Sequence, residues 1–95
     1  MQLDELEIDI TGSGDIDLFG TVDEQKIRIS GSGDIDNFDL LAEETEIIIS
    51  GSGDVETTTD DQLNVQISGS GDVKYKGNPR IDFDGAGSGR LIDAN

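Results

Sequence analysis

A four-residue word, Gly-Ser-Gly-Asp, recurs at Gly12–Asp15, Gly31–Asp34, Gly51–Asp54 and Gly69–Asp72, and an altered fifth copy reads Gly87-Ser88-Gly89-Arg90. The first glycines stand 19, 20, 18 and 18 residues apart. Recurrence at such a period marks a repeat architecture, in which each unit buries its apolar face only by stacking on its neighbours. Strict alternation leads into every word. Leu6, Ile8 and Ile10 face one way and Glu7, Asp9 and Thr11 the other, the period-2 pattern of a half-buried strand. The phrase returns with Ile27 and Ile29, with Ile47 and Ile49, and with Val65 and Ile67; Ile16, Ile35, Val55 and Val73 resume the pattern after each word.

A unit of this length is too short for a strand–helix–strand crossover. The pattern predicts an all-β chain, a right-handed parallel β-helix of about five coils with 18–20 residues per coil. A meander of antiparallel hairpins is the rival, but it needs a turn signal at both ends of every strand pair, and the repeat supplies one regular corner per unit. Gly12, Gly14, Gly31, Gly33, Gly51, Gly53, Gly69 and Gly71 are the expected structural corner, inward positions where the backbone bends and passes too close to its neighbour for a Cβ. Ile10, Ile29, Ile49 and Ile67 should form an interior column. Residues 20–25, 37–46, 57–62 and 77–80 read as polar connectors, with 37–46 bulging in the longest repeat and Thr57-Thr58-Thr59 extending a strand. Two registers suit the last repeat. One keeps Gly-Ser-Gly aligned and puts Gly85 where other coils have Ile or Val; the other aligns Phe83 with Ile67.

Ninety-five residues make a single domain, 1–95. Leu, Ile, Val and Phe supply about a quarter of it, enough for a folded chain. Twenty-two acids face six bases, giving a net charge of −16. Phosphate backbones need clustered Lys and Arg, so no nucleic acid and no anionic membrane surface is expected as partner. No apolar run is long enough for membrane insertion, and no signal peptide opens the sequence. There are no cysteines to bridge.

Stacking would align Asp15, Asp34, Asp54 and Asp72. Such a column offers oxygen ligands for calcium, the one metal ion this chain suggests; no other cofactor is indicated. The spacing differs from the nine-residue repeat of known calcium-binding β-rolls, and the competing reading is that each Asp caps its corner by accepting backbone N–H bonds. Ser13, Ser32, Ser52 and Ser70 form a second column, with no His or Cys to activate them as nucleophiles; a ladder of mutually bonded hydroxyls is the expectation. Carboxylate pairs at glycosidase separations arise by chance among so many acids, and one Tyr with three Phe make a thin sugar platform. Lys74-Tyr75-Lys76 reads as a solvated strand with Tyr75 turned inward. The coil ends should expose unpaired backbone over an apolar cross-section, which favours a homo-oligomer through coil ends or an added cap.

The phrase Ile-x-Ile-Ser-Gly-Ser-Gly-Asp-(Ile/Val) at Ile27–Ile35 and Ile47–Val55, its Val-led form at Val65–Val73, and the late Tyr75-Lys76-Gly77-Asn78-Pro79 with a Gly-x-Gly ending together resemble the head GIN domain family of auto-transporter adhesins. The resemblance implies a right-handed parallel β-helix, a place at the bacterial cell surface or in the periplasm, and a role in adhesion. It also implies that residues 1–95 are the repeat portion of a larger domain, and it brings no catalytic residues. The chain is more acidic than the family pattern. The resulting expectation is a non-catalytic structural or adhesion-type β-helix module with a surface glycan or protein as partner. The alternatives are a calcium- or salt-responsive binding domain acting through the aspartate column and, more remotely, a polysaccharide-cleaving β-helix enzyme.

Overall fold

The computed structural model describes residues 2–87 and 89–93. Extended chain dominates it: β1 (Gln2–Gly51), β2 (Asp54–Gly69), β3 (Asp72–Lys76), β4 (Arg80–Gly87) and β5 (Arg90–Asp93). Laid out straight, the 50 residues of β1 would reach about 165 Å at the rise of a β-strand. The longest dimension of the molecule is 32 Å, so β1 must wind around the axis. The fold is a parallel β-solenoid.

Every strand pairing is parallel. One ladder follows the corner and stacks Asp34, Asp54, Asp72 and Arg90 in register. A second precedes it and stacks Ile49, Ile67 and Gly85. The paired registers close three turns between Asp34 and Arg90, in steps of 20, 18 and 18 residues. That is fewer than the about five coils expected, because each turn runs from one corner to the next, so the four words from Asp34 to Arg90 enclose three. Below Asp34 the chain is stacked through its corner, where Gly31 lies against the carbonyl of Gly12.

Period-2 alternation carries the interior. Ile10, Ile29, Ile49 and Ile67 are all buried in one cluster with Ile8, Ile27, Ile47, Val55, Val65 and Val73. Covering each such side chain contributes about 1.5–3 kcal/mol. A smaller cluster of Val22, Leu40 and Ala42 sits at the connector side, with Leu6 and Leu18 against it.

The connectors differ from expectation. Thr57-Thr58-Thr59 extend a strand as expected, paired with Asn37, Leu41 and Ala42, but residues 20–25 and 60–62 also lie within β1 and β2, and only 77–79 leave the strand. The long repeat does bulge. Asn37 pairs with Thr57 but Leu41 with Thr58, so three residues are extruded, and one is recovered between Ala42 and Glu44. That difference is the two residues by which this coil exceeds the next. In the last repeat, Gly69 pairs with Gly87 and Asp72 with Arg90, so Gly-Ser-Gly stays in register. The Phe83 ring leans within 3.0 Å of where a Cβ of Gly85 would stand.

Candidate functional site

The two glycines of the word serve different ends. Gly12, Gly31, Gly51 and Gly69 turn the corner with φ of 93°, 123°, 128° and 137°, a region side chains disfavour. A Cβ on Gly31 or Gly51 would also stand 2.5 Å from the carbonyl oxygen of the glycine one coil earlier. The second glycine has no such φ. At Gly53 and Gly71 the constraint is contact: a Cβ would lie 2.9 and 2.8 Å from the preceding coil's carbonyl oxygen and 3.1 and 3.0 Å from Cγ2 of Ile29 and Ile49. Gly33, Gly53 and Gly71 are buried, whereas Gly31, Gly51 and Gly69 are only half-buried.

The corner's N–H groups are used between coils. Ser52 N donates to Gly31 O, Ser70 N to Gly51 O, Asp72 N to Gly53 O and Arg90 N to Gly71 O, at 3.0–3.1 Å. This removes the role foreseen for the aspartates as caps: Asp15, Asp34 and Asp54 make no side-chain hydrogen bond among the described residues. Ser13, Ser32, Ser52 and Ser70 are exposed and form no hydroxyl ladder among those residues.

What the fold brings together is a carboxylate face. Asp15, Asp34 and Asp54 run beside Asp17, Asp36 and Glu56, lining a shallow groove with Ile16 and Ile35 at its floor. At the far end basic residues take over: Lys74 is paired in register with Glu56, and Arg90 Nε lies 3.4 Å from Asp72 Oδ1, with Nη2 3.5 Å from Oδ2. Among the described residues no three acidic side chains converge on one point as a metal site requires.

The opposite ladder presents a more neutral groove, with Asn64 and Gln66 between Glu46 and Asp82 and Asp84. Gln62 Nε2 donates to Asn64 Oδ1 at 3.2 Å. Tyr75 packs against the core, and Lys76 Nζ stands 4.4 Å from the centre of the Phe38 ring. Among the described residues Phe19 is the most exposed large apolar side chain, at 70%.

Sequence reasoning missed the polar interior. Gln25, Asn37, Thr45, Thr57 and Thr59 are all buried. Thr45 and Thr59 share a 2.8 Å hydroxyl bond, while Gln25, Asn37 and Thr57 have side-chain atoms with no partner among the described residues. The signal was present: the parity that turns Ile27, Ile35 and Val55 inward also turns in Gln25, Asn37 and Thr57.

Residues 1–79 match the family described as "Putative auto-transporter adhesin, head GIN domain". Solved structures show the same architecture. A protein described as a putative adhesin from Parabacteroides merdae superposes with a TM-score of 0.96 at 30% identity, over 99% of this chain and 40% of that one. One described as a putative lipid binding protein from Parabacteroides distasonis gives 0.94 at 36% identity, over 97% and 37%. A putative adhesin from Bacteroides fragilis gives 0.88 at 28%, over 95% and 42%. The chain thus spans about two fifths of the length of these structures. No curated protein matches it significantly. On the match over residues 1–79 and the stacked Gly-Ser-Gly-Asp corners, the chain belongs to the head GIN domain family of auto-transporter adhesins.

Proposed function

We propose that this chain is a non-catalytic adhesion module displayed at a bacterial surface, contacting its partner through the outward rows of its coils. The observation that carries the reading is the construction of the solenoid. The apolar side chains and corner glycines are committed to stacking, and the outward rows are left as regularly spaced polar side chains with grooves between them. Stacked rows repeat at about 4.8 Å, a spacing suited to many weak contacts across a broad surface. Family membership supports the adhesive role and a surface or periplasmic place. The described residues hold no helix long and apolar enough to cross a membrane.

The carboxylate face gives the module a salt response. Like charges one strand spacing apart repel, and counter-ions relieve them. The rows Asp15–Asp34–Asp54 and Asp17–Asp36–Glu56 favour this over chelation, because the acids are spread along the face rather than converged.

The adhesive reading is tested by displaying the chain on a non-adherent bacterial host and scoring retention on glycan- and protein-coated surfaces under flow. Retention above that of the same host carrying the display scaffold alone is the expected result. Equal retention on every surface would refute it.

A further inference from the structure

The carboxylate rows run into aromatic rings. Asp15, Asp17 and Phe19 are the exposed residues of one stretch, alternating with the half-buried Ile16 and Leu18. One coil on, Asp34 and Asp36 are exposed and Phe38 follows them in the same way. Both phenylalanines come at the same step after the first glycine of their word, and those glycines, Gly12 and Gly31, are stacked. The bulge of the long repeat begins at Phe38. Asn37 and Leu41 pair with the consecutive Thr57 and Thr58, so Phe38, Asp39 and Leu40 are extruded between them. The Thr58 hydroxyl holds the bulge by donating to the Phe38 carbonyl at 2.7 Å. Bulges re-aim side chains, and this one leaves the Phe38 side chain half-buried beside the end of the acidic groove.

Phe38 already holds a cation. Lys76 Nζ stands 4.4 Å from its ring centre, inside the reach of a cation–π contact, about 6 Å. Phe19 offers the same kind of ring at 70% exposure, with Asp17 on its own row and Asp36 on the next. The groove leading to it is lined by Asp15, Asp17, Asp34, Asp36, Asp54 and Glu56, with no base among them.

We infer that Phe19 and this groove receive a basic segment of a partner protein, with an arginine or lysine side chain lying over the Phe19 ring as Lys76 lies over Phe38. The inference rests on the adhesive reading and names its partner class. Charge complementarity selects the occupant: the ring face attracts a cation, and the Asp17 and Asp36 carboxylates accept its N–H donors. Guanidinium suits both at once, since it stacks on aromatic faces and presents a planar fork to a carboxylate. A net charge of −16 draws such a segment in from a distance, and salt weakens the approach.

Titration of the 15N-labelled chain with a capped peptide of alternating arginine and serine, followed by NMR and by calorimetry, tests this. Amide shifts should concentrate at Asp17–Gly20 and Asp36–Phe38, and affinity should fall as salt is added. The same peptide with citrulline in place of arginine should not bind. Phe19→Leu keeps an apolar side chain but removes the π face. It should leave the melting temperature unchanged and weaken binding about fivefold, and Phe19→Tyr should restore the affinity. Shifts spread evenly over every acidic row, or a Phe19→Leu chain that binds as tightly as the parent, overturn the inference. A citrulline peptide that binds equally well overturns it too, as does a soluble neutral glucan that moves the Phe19 signals where the arginine peptide does not. Retention under flow without any peptide binding sinks this inference alone and leaves the adhesive reading standing.

Discussion

At the scale of single residues, the corner separates two demands that the sequence writes with the same letter. Gly51 needs a backbone conformation, with φ of 128° and the Gly31 carbonyl 2.5 Å from any Cβ. Gly53 needs only space, with the Gly33 carbonyl at 2.9 Å. Gly51→Ala therefore pays strain and collision together and should cost about 3 kcal/mol or more. Gly53→Ala pays collision alone, about 1–3 kcal/mol. Thermal melts should rank Gly51→Ala below Gly53→Ala, and both below the parent; equal melting of all three would contradict the corner geometry. That both glycines matter is readable from their recurrence at one period. Which constraint acts at which glycine is not, since the sign of φ depends on how coils stack. Thr57 is the opposite case, a position where the native residue is a poor fit. Its hydroxyl is fully buried with no partner among the described residues, and leaving a buried donor unpaired costs about 1–3 kcal/mol. Thr57→Val keeps the shape and removes that cost, so its melting temperature should rise; a fall would show that the hydroxyl has a partner.

At the scale of elements, the aspartate column turns on which groups hold the corner's N–H donors. Carbonyls of the preceding coil accept from Ser52, Ser70 and Asp72, which leaves Asp34 and Asp54 in register with only repulsion between them. At about 4.8 Å in water this is about 0.9 kcal/mol per pair before screening. Asp34→Asn and Asp54→Asn should each raise the melting temperature at low ionic strength, with the gain vanishing in high salt. Stability lost at every salt concentration would instead mean that the carboxylates act as caps. The ladders themselves are legible in the alternation around Ile29, Ile49 and Ile67, and so is the bulge in the 37–46 connector. The path of the connectors is not. The strand through Thr57-Thr58-Thr59 is legible in its β-branched run, but the burial of Thr57 and Thr59 is masked by their polarity, since stacked pairing carries them into the interior. The last coil's register also required the structure, because only the three-dimensional stack pairs Ile67 with Gly85 and Gly69 with Gly87.

At the scale of the whole molecule, each coil touches only its neighbours, so stability accumulates along one axis and is least at the two ends. The net charge of −16 is spread along the same rod, and the parent chain should melt at higher temperature as sodium chloride is added. Calcium should add no more than another divalent salt does, since among the described residues the acids do not converge. The adhesive reading rests on this construction, a rigid stack whose outward rows are free because the inward ones hold it together. Residue-resolved amide hydrogen exchange on the dilute chain tests that construction most directly. The account predicts slowest exchange in the middle coils, at Ile47–Ile49, Val55 and Val65–Ile67, with faster exchange at Ile8–Ile10 below and at Phe83 and Leu91 above. Uniform protection along the chain, or greatest protection in the first or last coil, would contradict it.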